Sequence, residues 1–125
     1  MKKMATILTA LTIVISSWTR CSAWSDEAIA DAIYKAENSK TYPYGIVSID
    51  TNGDEEYARK ICLNTIRNNR KRFADYGYKQ FDSYLEFLAS RYCPIGASND
   101  PTGLNVNWLG NVNWFLNHKG ERNEI

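Results

Sequence analysis

Between Asp26 and Ile49 the chain changes character abruptly, and that change restricts the possible folds more than any other stretch. Ile29, Ala32, Ile33 and Ala36 recur at i, i+3, i+4 and i+7, the pattern of a helix with one buried face. Ser25 stands where an N-cap belongs, and Asp26 and Glu27 fall in the first turn, where the helix dipole favours negative charge. The helix is expected to run out over Glu37, Asn38 and Ser39. Tyr42 to Ile49 is aromatic and β-branched and reads as a strand. The Asn52-Gly53 pair that follows is the signal of a hairpin tip or of a strand-to-helix turn. Glu37 thus stands at the C-terminal end of a helix, just before an aromatic segment. The negative dipole end and any partial burial both disfavour its ionisation, so its pKa is expected to rise, as a general acid near neutral pH requires. A Glu in the last turn of a helix is usually a solvated surface residue. What sets this one apart is the order of buried helix face, Glu, polar turn and aromatic segment.

The rest of the chain is punctuated as a series of helices. A second helix is expected to begin at Asp54, with Glu55 and Glu56 in its first turn. Ala58, Ile61, Cys62, Ile66 and Phe73 form its apolar stripe, and Gly77 stops it. The cationic run from Arg67 to Arg72 reads as the solvated face of that helix, though it is also able to touch an anionic polymer. Ser83 and Glu86 form a capping box for a third helix, which Pro94 ends near Tyr92 or Cys93. Asp100-Pro101-Thr102-Gly103 is a turn sequence. Asn105 is a candidate cap for a last helix with Trp108, Leu109, Val112, Phe115 and Leu116 on its inner face and Gly120 at its end. Neither repeats nor linkers divide the chain. The expectation is one α+β domain over residues 24–120, mostly α, with a small β-hairpin after the first helix and a frayed tail at 121–125.

Residues 1–23 have the features of a secretory signal: Lys2 and Lys3, an apolar core from Met4 to Ile15, and small residues before a cleavage point after Ala23. The apolar run is too short to span a membrane, and Cys21 leaves a lipid-anchored form as the alternative. Export would place the domain in the periplasm or outside the cell. Cleavage would remove three of the 15 Lys and Arg, leaving 12 against 14 Asp and Glu, a formal charge of −2. Such a balance carries no basic field, so nucleic acid is not an expected partner. Cys62 and Cys93 would remain, and an even pair in an exported chain suggests a disulfide, with two buried thiols as the alternative. His118 is the one histidine, which argues against a Ser-His-Asp or Cys-His site and against zinc. No phosphate-cradling glycine loop is present. Neither a cofactor nor a metal is expected.

Two stretches resemble the lysozyme-like superfamily that cuts peptidoglycan glycan strands, including lytic transglycosylases and bacterial glucosaminidases. One is Ala36-Glu37-Asn38-Ser39 followed by Tyr42-Pro43-Tyr44-Gly45-Ile46, similar to the catalytic Glu, nearby Ser and aromatic-glycine strand of those enzymes. The other is Tyr84 to Leu116, whose order of Phe-Leu, Arg-Tyr, Asn-Asp-Pro, Asn-Trp and Asn-Val resembles their closing segment. Two departures stand out: Asn38 separates Glu37 from Ser39, and Gly45-Ile46-Val47-Ser48 lacks the glutamine of the Gly-Leu-Met-Gln strand. The resemblance implies a lysozyme-like domain acting as a monomer on β-1,4-linked peptidoglycan strands, with Glu37 as general acid. Asp50, and after it Asp54, are candidates for a second carboxylate, with turn formation and helix capping as their competing roles. If neither serves, the substrate's own N-acetyl group is the nucleophile. Ser39, Tyr44, Tyr92 and Asn99 are candidate substrate contacts, the tyrosines as groove walls or as core, and Asn99 on a turn at the rim. Trp108 and Trp114 read as core or surface anchors before sugar platforms. A non-catalytic exported module binding glycan or protein is the alternative to an enzyme.

Overall fold

The computed structural model describes residues 24–118, so the signal segment at 1–23, the expected helix stop at Gly120 and the tail at 121–125 lie outside the described residues. The described residues form four α-helices: α1 (Asp26–Glu37), α2 (Glu55–Asp75), α3 (Tyr84–Tyr92) and α4 (Trp108–Asn117). Short 3-10 turns lie at Pro43–Gly45, Gly77–Lys79 and Leu104–Asn107.

The caps show why the helices start where they do. Ser25 Oγ accepts from the Ala28 N–H, Asp54 accepts from the Glu56 and Tyr57 N–H groups, and Ser83 and Glu86 close a reciprocal capping box. α1 packs against α4, α2 and the Pro43–Gly45 turn, while α3 lies on α2 and α4. The core sits between them, with Ile29, Ile33, Cys62, Ile66, Leu88, Val112 and Leu116 wholly buried. Two of the arginines in the cationic run are structural. Arg67 and Arg70 pair with Asp26 in the first turn of α1, and the Arg70 guanidinium lies 4.5 Å over the Tyr84 ring. The second and first helices are thus stitched together at one end by charges the sequence assigned to solvent.

The hairpin is corrected: among the described residues there is no strand, and the domain is helical where an α+β domain was expected. Tyr42–Ile49 does not run extended. Tyr44 and Gly45 both adopt left-handed backbone, at φ 61° and 69°, and the chain turns there through hydrogen bonds from Gly45 N–H to the Tyr42 carbonyl and from Ile46 N–H to the Pro43 carbonyl. Val47 and Ile49 face solvent. β-propensity describes a fit to a pleated surface with neighbours, and a lone hairpin in water is marginal at best. With four helices already closing the core, this segment has no sheet to join. The last helix also starts later than expected, since Asn105 lies within a 3-10 turn and α4 begins at Trp108.

Candidate active site

Glu37 is the last residue of α1, and the chain leaves the helix through Asn38, whose left-handed conformation returns its N–H to the Tyr34 carbonyl. That exit leaves the Glu37 side chain half-buried at one wall of an open cleft of about 250 Å³. A residue from the opposite end of the sequence holds the carboxyl there. Trp108, the first residue of α4, donates its indole Nε1–H to Glu37 Oε1 at 2.9 Å. Gly45 packs so closely that a Cβ there would stand 2.6 Å from Glu37 Cδ. A side chain at position 45 and the present carboxyl position are mutually exclusive.

Burial pushes the Glu37 pKa above the ordinary carboxylate range, and the Trp108 hydrogen bond, which favours the ionised form, offsets part of that rise. Burial outweighs the indole bond, so the net direction is upward. Its second oxygen, Oε2, is not engaged by that indole bond.

Tyr92 holds the back of the cleft. Its ring stacks on Trp108, centroids 5.2 Å apart, and its hydroxyl donates to the Tyr44 carbonyl at 2.6 Å. A phenol has one proton, so the longer contact of 3.7 Å between this oxygen and Cys62 Sγ runs with the thiol as donor. Burial raises the Tyr92 hydroxyl far above its ordinary range, which keeps it a neutral donor. Cys62 and Cys93 are free thiols, so the disulfide suggested by their pairing is not formed. Cys62 is sealed in the core under the Tyr92 hydroxyl, and burial pushes its thiol up to about 12. Cys93 lines the cleft, with its thiol pushed up to about 11 by burial first and by the charges of Glu37 and Asp100 after it.

The remaining walls are loops. Ser39 Oγ accepts from the Tyr42 N–H at 3.0 Å and so folds the turn that brings Tyr42 and Val47 to one rim. On the other side Asp100, nearly fully buried, accepts from the N–H groups of Gly96 and Asn105. Asn105 also donates to the Pro94 carbonyl at 2.8 Å. This knot fixes Pro94, Asn99 and Asn105 along the cleft.

Of the residues singled out by sequence, the structure brings Glu37, Ser39, Tyr92 and Asn99 to one cleft. Tyr44 is not a groove wall by its side chain: it is buried, and its hydroxyl accepts from Arg59. Asp50 is not brought to Glu37. It faces solvent, its Oδ1 accepts from the Asn52 N–H at 2.9 Å, and it lines a neighbouring cavity that meets the Glu37 cleft only at Tyr42 and Val47. Asp54 caps α2, as its turn context allowed. Trp114 stacks on His118 away from the cleft lining.

Three contributors escaped sequence reading: Trp108, assigned to core; Asn105, assigned to a cap; and Gly45, noted only within a motif. The available signal for Trp108 was chemical, because a buried indole N–H requires an acceptor. Among the described residues no group of three or more His, Cys, Asp or Glu could hold a metal ion, and no helix is long and apolar enough to cross a membrane. Among the described residues lining the cleft, Glu37 is the one carboxylate, and there is no Lys, Arg or His. The arrangement can therefore give and take a single proton over a neutral surface of hydroxyl, amide and aromatic groups. No family model matches the chain, and neither a curated protein nor a solved structure matches it.

Proposed function

We propose that the protein cleaves β-1,4-glycosidic bonds in peptidoglycan glycan strands, with Glu37 as both acid and base in turn. The observation that carries this reading is the half-buried Glu37 carboxyl, its pKa raised, with one oxygen held by the Trp108 indole at the wall of an open, neutral cleft. The resemblance of Glu37–Ile46 and Tyr84–Leu116 to glycan-cutting enzymes supports the substrate class. The absence of Asp50 from this cleft's lining favours a one-carboxylate mechanism over a pair of acids.

In the first step the Glu37 carboxyl gives its proton to the glycosidic oxygen as the C1–O bond breaks, and the leaving sugar departs as an alcohol. The 2-acetamido oxygen of the substrate bonds to C1 and forms a cyclic oxazolinium. Glu37, now a carboxylate, takes a proton from the water that opens this ring, which restores the acid. If the sugar's own 6-hydroxyl attacks instead, the same proton transfer leaves a 1,6-anhydro end. General acid catalysis of this kind contributes roughly 10²–10⁴-fold. Export through the N-terminal segment would deliver the domain to the cell wall.

Digestion of purified peptidoglycan followed by mass spectrometry tests the proposal. The wild type is expected to release fragments whose masses distinguish reducing from anhydro ends, and Glu37→Gln to release none. Tight binding to the glycan without any fragments at high protein loading would replace the enzyme with a binding module.

A further inference from the structure

The segment that presses on Glu37 is held in an unfavourable conformation from outside the cleft. Tyr44 has φ 61° and ψ 15°, a left-handed backbone that a bulky aromatic residue rarely adopts. Its ring is buried against Tyr34, with centroids 5.1 Å apart, and its hydroxyl accepts from Arg59 Nη1 at 3.2 Å. The same Arg59 nitrogen donates to Asp31 Oδ1 at 2.7 Å, so one guanidinium on α2 ties the first helix to the tyrosine. Asp31 is exposed and Arg59 half-buried, and an ion pair open to solvent on one side adds little to stability. What it does add is direction: it fixes where the Tyr44 phenol points, and with it the rotation of the Tyr44–Gly45 peptide. Strained backbone at a functional site persists only where its surroundings over-determine it. Here the carbonyl side is fixed by Tyr92 and the phenol side by Arg59.

We propose that Arg59 is a positioning residue for Glu37: bridging Asp31 and the Tyr44 hydroxyl, it holds Tyr44–Gly45 left-handed and so keeps Gly45 against the carboxyl. This rests on the reading of Glu37 as the acid. Arg59 is not among the residues lining the cleft, so it acts through Tyr44. Freed of this anchor, Tyr44 relaxes toward negative φ and Gly45 withdraws. The carboxyl then gains freedom and water, and its bond to the Trp108 indole changes.

The test uses the full chain labelled with nitrogen-15 and the Trp108 indole N–H signal, assigned by its loss in Trp108→Phe. Tyr44→Phe removes only the hydroxyl, and Arg59→Met removes the donors while keeping the aliphatic stem. Both are expected to move the indole signal and to lower kcat on soluble glycan strands by about 10- to 100-fold, with KM unchanged. Arg59→Lys is expected to restore part of both. An unmoved indole signal with wild-type kcat in either folded variant overturns the proposal. If both variants fail to fold, Asp31→Asn, at the exposed end of the bridge, decides by the same two readouts: smaller changes in the same direction support it, and wild-type values overturn it. A wild type that cuts no glycan defeats the catalytic reading alone, because the indole signal still reports whether Arg59 governs the Glu37 contact.

Discussion

Replacing Gly45 by alanine separates the geometric requirement at Glu37 from general damage to the fold. The new methyl carbon would stand 2.6 Å from Glu37 Cδ and 2.8 Å from each carboxyl oxygen. Carbon atoms in ordinary contact are about 3.5–4.0 Å apart, so the carboxyl has to retreat by about 1 Å. A misplacement of that size at a reacting group costs about 100-fold in rate. The backbone adds a separate cost, since φ at Gly45 is +69° and a left-handed L-residue costs roughly 1–2 kcal/mol. In a domain of this size that lowers Tm by roughly 5–15 °C. Gly103→Ala is the control, because Gly103 has φ +72° and nothing lies within 4 Å of where its Cβ would be. It carries the same backbone cost without the collision. Fragment release from purified peptidoglycan, measured well below both melting temperatures, should therefore fall about 100-fold further in Gly45→Ala than in Gly103→Ala. Equal rates in the two variants would refute the claim that contact at position 45 sets the carboxyl's place.

The other expectations concern protons. Trp108→Phe removes the hydrogen bond that favours the Glu37 carboxylate and leaves burial unopposed, so the Glu37 pKa climbs and the alkaline limb of the pH–rate profile moves up; a limb that stays or moves down contradicts the electrostatic assignment. Because the folded-state pKa of Glu37 lies above its unfolded value, the native state binds more protons between the two. The stability this contributes is complete below about pH 4.3 and is lost as pH rises through the folded pKa. Glu37→Gln should accordingly melt higher relative to wild type at pH 8 than at pH 4, and a constant difference across that range would count against a perturbed carboxyl. Iodoacetamide attacks thiolates, so with Cys93 pushed up to about 11 and Cys62 to about 12, intact-mass analysis at pH 7.5 should find slow labelling of both. At higher pH the label should appear first on cleft-lining Cys93 and abolish fragment release, with buried Cys62 labelled later.

What the sequence disclosed and what it hid divide along the range of the interactions. The helices rest on local chemistry: Ser25, Asp54 and the Ser83–Glu86 box each act within three residues of their partners, so spacing alone reveals them. Glu37 was legible for the same reason, since its place at the end of α1 follows from where the apolar repeat stops. Its environment was not. The indole that engages it is 71 positions away in the chain, and Tyr92 reaches the Tyr44 carbonyl across 48. No periodicity encodes such contacts. The aromatic segment misled for a related reason: Tyr42–Ile49 has the composition of a strand, but its hydrogen bonds run to two other helices, from Tyr92 to the Tyr44 carbonyl and from Arg59 to the Tyr44 hydroxyl. β-propensity is context-dependent and spans only about 1 kcal/mol per position, and here there is no neighbouring strand to realise it among the described residues. The locally strained turn and the unexpected loss of the hairpin are thus one event, and both occur where Gly45 meets the carboxyl. A strand through Tyr44 and Gly45 would require extended backbone at both positions. The close approach of Gly45 to Glu37 is built on left-handed backbone there, so the feature that defeated the sequence reading is the one on which the site's geometry depends.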